Sequence, residues 1–168
     1  MEPKAFSGDR VYLWEKLAFS WSELDRLERM EHCFRQQARL QKGSADAFLN
    51  MGFHYSAAGD VLRAEQAYLE GLKIDPKDEF IYHNLAQLYI NLGSRKKALL
   101  AVNEAILRNP ALPSIFQLKG DLHLHWSEKD IALHRYRQAL SLCTTDWKDL
   151  REILIRQIQN LDSEAKTR

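Results

Sequence analysis

A repeat of 34 residues constrains the fold of this 168-residue chain more than any other feature of its sequence. When the sequence is shifted by 34 residues, Tyr55 falls on Tyr89 and Gly59 falls on Gly93. Two positions stay small in all three copies, and they hold Gly52, Ala86 and Gly120 in one series and Ala64, Ala98 and Ala132 in the other. Sequence similarity at a constant period of about 20–50 residues is typical of repeat architectures. The sequence therefore predicts a stack of similar structural units.

The first unit is predicted to contain two helices separated by a tight turn. Glycine accepts a positive φ and aspartate is a good N-cap, so Gly59 and Asp60 are expected to form the turn. Pro76 is expected to end the second helix, because proline disfavours the helical conformation in the residue before it. We therefore expect one helix over residues 45–57 and another over residues 61–74.

The second and third units follow the same plan with different turn residues. Gly93 marks the turn of the second unit, and Pro110 marks its end. In the third unit, Ser127 and Asp130 are predicted to form a capping box at the start of the second helix. The predicted units span residues 45–78, 79–112 and 113–146.

This arrangement resembles the tetratricopeptide repeat (TPR), whose pattern is W-x2-L-G-x2-Y, then A-x3-F, then P. In the first unit the matching residues are Phe48, Met51, Gly52, Tyr55, Ala64, Tyr68 and Pro76. The third unit departs from the pattern, since Lys119, His123 and Thr144 replace its Leu, Tyr and Pro. The resemblance implies an all-α fold, a right-handed TPR superhelix of antiparallel helix pairs. It also implies that the chain holds another polypeptide.

The two ends of the chain are predicted to close the stack, because the terminal units of a solenoid need a polar outer face. Residues 10–44 are expected to form a degenerate repeat or N-terminal helical cap. Residues 147–161 show the spacing of an amphipathic helix and are expected to form a C-terminal capping helix. Residues 162–168 are expected to fray, and residues 1–168 are expected to form a single domain.

The N-terminal segment also carries an aromatic edge, which consists of Phe6, Tyr12, Trp14, Phe19 and Trp21. Aromatic side chains readily fill cores, so one interpretation is that they pack within the cap. A large exposed apolar patch usually marks an interaction site, so the other interpretation is a contact surface for a partner or a second copy of the chain.

The resemblance also implies a concave groove lined by the first helix of each unit. The groove residues that follow from it position by position are Leu49, Asn50, Phe53, Phe80, His83, Asn84, Gln87, Ile90, Gln117, Asp121 and Leu124. Asn50 and Asn84 carry amides that can bond a peptide backbone. A groove with apolar patches suits an extended peptide or an amphipathic helix. The alternative is that its apolar residues pack against the N-terminal helices.

One class of ligand is argued against. TPR domains that clamp the acidic C-termini of heat-shock chaperones use Lys, Asn and Arg at five groove positions, because a carboxylate needs charged donors. The matching residues here are Leu49, Phe53, Asn84, Ser114 and Leu118, of which only Asn84 retains the residue type of the clamp.

Composition excludes several function classes. A formal net charge of +1 supplies no field that would attract nucleic acid or an anionic membrane. The sequence has no apolar run of about 18 residues and no signal-peptide pattern, and Cys33 and Cys143 form no CxxC pair, so we expect a cytoplasmic protein without membrane insertion.

No catalytic or metal-binding motif stands out. Catalytic motifs with a nucleophile elbow, a phosphate loop or a dinucleotide fingerprint are missing, so we expect no enzyme, no cofactor and no metal. His123 and His125 lie two residues apart, on different helix faces, and His123 is expected to pack in place of the repeat tyrosine. His54 and His83 are expected to approach one another, without enough further ligands for zinc.

The leading hypothesis is therefore a protein-interaction module, such as an adaptor, chaperone or assembly factor, that binds a peptide or helix in its groove. A self-assembling TPR scaffold that uses the aromatic edge is the alternative. RNA binding ranks lower because the groove is not basic. The basic cluster that starts at Arg95 is expected to be a solvated face, and a weak contact with an anion is the alternative.

Overall fold

The computed structural model describes the backbone of residues 7–166 and the side chains of residues 9–163. Within these ranges the chain forms nine α-helices, one short 3₁₀ turn and no strand. The helices in chain order are α1 Ser7–Glu23, α2 Leu27–Leu40, α3 Asp46–Ala57, α4 Val61–Ile74, α5 Glu79–Asn91, α6 Arg95–Arg108, α7 Pro113–His125, α8 Lys129–Leu142 and α9 Lys148–Lys166, and the 3₁₀ turn is Thr145–Trp147. The predicted all-α fold of helix pairs is confirmed.

The chain divides into two compact units, one up to Leu88 and one from Tyr89 onward. In the first unit, α1 packs against α2, α2 against α3, and α3 against α4. In the second unit, α6 packs against α7, α7 against α8, and α8 against α9. Each unit therefore builds its core by packing consecutive helices side by side.

The turn between α3 and α4 has the predicted chemistry. Gly59 has a φ of +79°, in the region that favours glycine. The side chain of Asp60 accepts a hydrogen bond of 3.1 Å from the backbone N–H of Arg63, and so caps α4. Gly93 takes the same left-handed conformation before α6, with a φ of +65°.

The predicted capping box of the third unit is wrong. Ser127 has a φ of 61°, and α8 is preceded by Glu128, whose side chain makes no cap hydrogen bond. Ser127 therefore occupies the left-handed position that Gly59 and Gly93 occupy in the earlier units. A residue in that conformation precedes the cap position, so Ser127 cannot form the box with Asp130.

The C-terminal helix also differs from the prediction. α9 continues to Lys166, five residues beyond the predicted end at Leu161, so the expected fraying from residue 162 is wrong for the part that the structure describes. Residues 167 and 168 lie outside the described residues. The buried Leu154 and Leu161 join the core that α8 forms with Tyr136 and Ala139.

Small residues bring paired helices close together, as predicted. A Cβ placed on Gly52 would lie 2.5 Å from the Tyr68 ring, and a Cβ placed on Gly120 would lie 2.5 Å from the Tyr136 ring. Tyr68 and Tyr136 are both fully buried. The two glycines therefore leave the space that these rings fill.

A polar cluster joins α2, α3 and α4 around a cavity of about 100 Å³. Tyr55 Oη donates to Glu31 Oε2 at 2.5 Å, and Arg35 Nε donates to Glu31 Oε1 at 2.8 Å. Arg35 Nη1 also reaches Glu70 Oε2 at 3.2 Å. Burial alone would raise the pKa of Glu31, but the hydrogen bonds from Tyr55 and Arg35 outweigh it and hold that pKa below 4.5.

Candidate peptide-binding surface

The exposed face of α3 follows from where its buried face lies. The buried residues Ala47, Met51 and Tyr55 recur every four residues and form one stripe. Residues two positions away on an α-helix point about 200° away from that stripe. Leu49 and Phe53 therefore lie on the opposite side, where Leu49 is half-buried and Phe53 is 55% exposed.

The exposed face of α5 is organised in the same way. Ile81, Leu85 and Leu88 are buried, with 3% exposure or less. Phe80 lies off this stripe and is 63% exposed, although it is a large apolar side chain. The polar groove positions of α5 share its side of the helix, and they are the exposed His83, the half-buried Asn84 and the exposed Gln87. The first unit thus presents two phenyl rings with polar side chains beside one of them.

The two groove amides differ in what they can offer a ligand. Asn84 Nδ2 donates to the backbone carbonyl of Phe80 at 3.0 Å, so one of its donors is used within its own helix. The amide still has a second N–H. Asn50 is half-buried on α3.

His54 packs against the two N-terminal helices. His54 Nδ1 lies 2.7 Å from Ser22 Oγ, and its ring stacks on Phe34 with centroids 5.7 Å apart. Burial lowers the pKa of His54 and so favours the neutral ring. His83 is exposed on α5. Among the described residues there is no cluster of three or more His, Cys, Asp or Glu that could hold a metal ion.

In the compact unit that begins at Tyr89, the predicted groove residues pack against or hydrogen-bond with neighbouring side chains. Asp121 accepts a hydrogen bond from Tyr136 Oη at 2.6 Å and one from Gln157 Nε2 at 3.4 Å. Leu124 is half-buried and packs against the core of α8 and α9. The remaining groove positions of this unit are half-buried, and they are Ile90 and Gln117.

The N-terminal helices leave the phenyl rings of the surface open. Phe19 of α1 contacts Phe34 and His54 edge-on, with centroids 6.0 Å and 4.9 Å apart. The ring of Phe53 contacts the ring of His54 edge-on, with centroids 5.6 Å apart, and Phe53 still keeps more than half of its surface exposed. The alternative, in which the apolar groove residues pack against the N-terminal helices, therefore does not describe the rings of Phe53 and Phe80.

The described part of the aromatic edge splits into half-buried and exposed members. Phe19 packs inward, whereas Tyr12 is 57% exposed and carries Lys16 over its ring at 5.3 Å. Trp14 and Trp21 are half-buried. Phe6, the first member of the predicted edge, lies outside the described residues.

The start of α6 is more ordered than a solvated basic face. Arg95 Nη2 donates to Glu128 Oε1 at 2.6 Å, and its guanidinium lies 4.7 Å from the centroid of the Trp126 ring. His123 Nδ1 lies 2.8 Å from Glu128 Oε2, and His123 is buried as predicted. Arg95 is thus exposed, as expected of a solvated face, and of the two interpretations of the basic cluster the contact with an anionic group describes its guanidinium. Sequence analysis missed Glu128, which is local to His123 but distant from Arg95 in sequence.

A sequence profile described as tetratricopeptide repeat matches residues 67–99. The U-box domain-containing protein 70 of Oryza sativa subsp. japonica is 26% identical over 133 residues, which cover 76% of this chain and 16% of that protein. The Hsp70-Hsp90 organizing protein 1 of Glycine max is 27% identical over 118 residues, which cover 70% of this chain and 21% of that protein. The chain therefore spans about a fifth of the length of these curated relatives.

Solved structures share the fold. A structure of MamA residues 41-end from Desulfovibrio magneticus RS-1 superposes with a TM-score of 0.55 at 15% identity, covering 95% of this chain and 97% of that one. The first TPR of Spaghetti (RPAP3), bound to the HSP90 peptide SRMEEVD, gives a TM-score of 0.54 at 18% identity, covering 73% of this chain and 94% of that one. The prediction of tetratricopeptide repeats is confirmed, and the fold of this chain is that of tetratricopeptide-repeat proteins.

None of the described helices combines the length and the apolar content needed to span a bilayer.

Proposed function

We propose that the chain is a protein-interaction module that binds a peptide or an amphipathic helix through the exposed faces of α3 and α5. The observation that carries the proposal is the exposure of Phe53 and Phe80, at 55% and 63%, on the first helices of adjacent repeat units. Neither ring is needed for the repeat's own packing. Apolar side chains with convergent polar groups are the usual composition of a binding site.

The ligand is proposed to contact the exposed faces of α3 and α5. The apolar rings would accept apolar side chains at alternate or helical spacing, and the amides of Asn84 and Asn50 would bond its backbone. The predicted groove positions that follow Leu88 stay a prediction of the repeat register, and they are Ile90, Gln117, Asp121 and Leu124.

An adaptor, chaperone or assembly role follows from this binding mode, and we propose no catalytic activity. The solved TPR of RPAP3 holds a peptide, which supports a peptide as the class of ligand. Cys33 and Cys143 are both free thiols, which supports a reducing compartment such as the cytoplasm.

The test is a pull-down from the source lysate with three purified proteins, followed by mass spectrometry of the retained partners. They are the native chain, Phe53→Glu/Phe80→Glu, and the control Leu62→Glu/Leu107→Glu. The control adds the same two charges at apolar side chains that are 80% and 72% exposed on the second helices of their units. A partner retained by the native chain and the control, and lost by the phenylalanine variant, would support the proposal.

Equal retention by all three proteins would contradict the proposed surface. All three must first show the same helical circular dichroism and thermal midpoint, so that loss of a partner is not loss of fold. A partner found in this way is then measured by titration calorimetry as a purified segment, where the phenylalanine variant is expected to bind at least tenfold more weakly.

Self-assembly is a second candidate function, and the exposed face of α1 favours it. Leu13 and Leu17 are 63% and 41% exposed and lie four residues apart, on one side of the helix. Leu24 follows seven residues later and is 63% exposed. Light scattering at high concentration should show a dimer or larger species that Leu13→Glu/Leu17→Glu converts to a monomer. A native chain that remains monomeric would remove this candidate.

A further inference from the structure

A cavity of about 390 Å³ opens to solvent beside the end of α2. Its lining comes from α2, the turn after it, α3 and the end of α4, and it includes Arg35, Arg39, Lys42, Gly43, Phe48 and Ile74. A Cβ placed on Gly43 would meet no atom within 4 Å, so the turn leaves that side of the cavity open. Cavities that hold ligands measure about 300–1,000 Å³, so this one has the volume for part of a peptide.

The charged side chains that line this cavity are cations, and none of the described lining residues carries a carboxylate. Arg35 is balanced by Glu31 at 2.8 Å and by Glu70 at 3.2 Å. Arg39 and Lys42 are exposed, and neither makes a hydrogen bond or an ion pair with another residue that the structure describes. A cation in the last turn of α2 favours the helix dipole, but that effect leaves the donors of both side chains available.

The apolar side of the cavity is made by Phe48 of α3 and Ile74 of α4. A Cβ placed on Gly71 would stand 3.3 Å from the Cβ of Phe48, so the two helices approach closely at this point. Ile74 follows Gly71 by three residues and therefore lies on the same side of α4. Phe48 is half-buried, and Ile74 is 39% exposed although it is a large apolar residue. The cavity thus places accessible apolar surface beside two unpaired cations.

Two aspartates lie close to this lining in sequence, but they do not line the cavity. Asp46 Oδ2 accepts a hydrogen bond from Ser44 Oγ at 2.6 Å, and Asp75 Oδ1 accepts one from the backbone N–H of Lys77 at 2.9 Å. Both carboxylates are therefore engaged by their own turns, and the charge of the cavity itself stays positive.

We propose that this cavity binds an acidic peptide segment in which a large apolar side chain stands between carboxylates. The apolar side chain would lie on Phe48 and Ile74, where its burial is favourable. The carboxylates would accept charge-assisted hydrogen bonds from Arg39 and Lys42. A small inorganic anion would leave the apolar side of the cavity unused, so the mixed lining favours a peptide.

This cavity is separate from the surface that carries Phe53 and Phe80. Phe53 follows Phe48 by five residues, so the two side chains point about 140° apart around α3. The pull-down variants at Phe53 and Phe80 leave the cavity lining unchanged. Either proposal can therefore fail while the other stands.

The test is a titration of the ¹⁵N-labelled full chain with the peptide acetyl-EEFEE-amide, followed by two-dimensional NMR. The amide resonance of Gly43 is expected to shift with peptide concentration until it saturates. The peptide acetyl-EEAEE-amide has the same charge without the ring, and acetyl-QQFQQ-amide has the ring without the charge. Each should bind at least tenfold more weakly, because each loses one of the two kinds of contact.

The matched variants are Arg39→Glu/Lys42→Glu and Lys148→Glu/Arg151→Glu. The first should bind acetyl-EEFEE-amide at least tenfold more weakly than the native chain. The second reverses an exposed lysine and an exposed arginine that also lie three residues apart, on α9, and should bind as the native chain does. Arg39→Gln/Lys42→Gln replaces the first variant if that protein lacks the dispersed spectrum of a folded chain.

Three results would overturn the proposal. The first is a native chain whose Gly43 resonance shows no saturating shift, including the case in which only the amides of Phe53 and Phe80 respond. The second is equal affinity in Arg39→Glu/Lys42→Glu, because binding would then be independent of the two cations. The third is equal affinity for acetyl-EEAEE-amide, because the apolar side of the cavity would then take no part.

Discussion

The ring of Tyr136 lies against the α-carbon of Gly120, close enough that a Cβ on that glycine would stand 2.5 Å from the ring. Tyr68 lies against Gly52 in the same way, two repeats earlier in the chain. In both pairs a buried tyrosine of a second helix fills the space that a glycine of the first helix leaves. This contact decides whether replacing the helical glycine by alanine raises or lowers the free energy of unfolding.

Gly120→Ala is expected to destabilise the chain by about 1–3 kcal/mol, because the added methyl group overpacks the core against Tyr136. Helix propensity alone predicts the opposite sign, since alanine is about 1 kcal/mol more favourable than glycine within a helix. Urea unfolding of native and variant chains measures the difference. In a Tyr136→Leu background the same substitution should cost less. A stabilised Gly120→Ala chain would contradict the packing described here.

Ser127→Gly is expected to stabilise the chain. A non-glycine residue in the left-handed region costs about 1 kcal/mol, and Ser127 has a φ of 61°. Each kcal/mol corresponds to about 2–4 °C in the thermal midpoint of a chain of this size. Gly59→Ser, the reverse change at the matching turn, should lower the midpoint by a similar amount. Equal midpoints for native and Ser127→Gly chains would show that the turn is not strained.

The helices of the first full repeat were predictable because their ends are marked by local residues. Gly59 and Asp60 mark the turn, and Pro76 follows the second helix, so the predicted bounds of α3 and α4 agree with the structure within one residue. The end of α9 was not predictable, because residues after Leu161 include no glycine or proline that would stop a helix. The predicted end at Leu161 was the last apolar residue of the amphipathic pattern, whereas the helix itself continues to Lys166.

The sequence predicts which residues lie on the candidate surface better than it predicts their hydrogen-bond partners. The groove positions implied by the resemblance include Phe53 and Phe80, and both side chains are exposed. Which side chains partner one another depends on tertiary packing, as when Tyr136 donates to Asp121 or Arg95 reaches Glu128 across 33 residues. Ser127 lies 34 residues after Gly93 and 68 after Gly59, so the repeat register indicates a left-handed turn residue at this position. The capping-box pattern instead predicted an N-cap there, and that prediction was wrong.

The pair of Glu31 and Tyr55 predicts a stability that depends on pH. The pKa of Glu31 is lower in the folded chain than in the unfolded chain. The stabilisation that this carboxylate contributes is therefore fully present at pH values above the unfolded pKa, and it is lost as the pH falls through the folded pKa. Tyr55→Phe removes one hydrogen bond that lowers this pKa. The loss of unfolding free energy between neutral pH and ~pH 3.5 should therefore be smaller in Tyr55→Phe than in the native chain.

Urea unfolding at the two pH values checks this expectation, and Tyr12→Phe is the control because Tyr12 is exposed and contacts Lys16 rather than a carboxylate. The control should retain the pH dependence of the native chain. An unchanged pH dependence in Tyr55→Phe would mean that the hydroxyl does not hold the carboxylate in its charged form.

The last prediction concerns the acidic peptide SRMEEVD, which the solved TPR of RPAP3 binds. The positions that carry the cationic clamp in such domains hold Leu49, Phe53, Ser114 and Leu118 here, and Leu118 is only 7% exposed. A terminal carboxylate bound without charged donors keeps its desolvation cost and gains little in return. The peptide is therefore expected to bind this chain at least a hundredfold more weakly than it binds the RPAP3 domain.

Fluorescence anisotropy of the labelled peptide, titrated with each protein at the same ionic strength, gives both affinities. A peptide of the same length with its acidic residues replaced by amides serves as the control for nonspecific contact with Phe53 and Phe80. Saturable binding of SRMEEVD at an affinity near that of the RPAP3 domain, and stronger than that of the amide peptide, would contradict the prediction. It would mean that cations outside the clamp positions neutralise the acidic ligand.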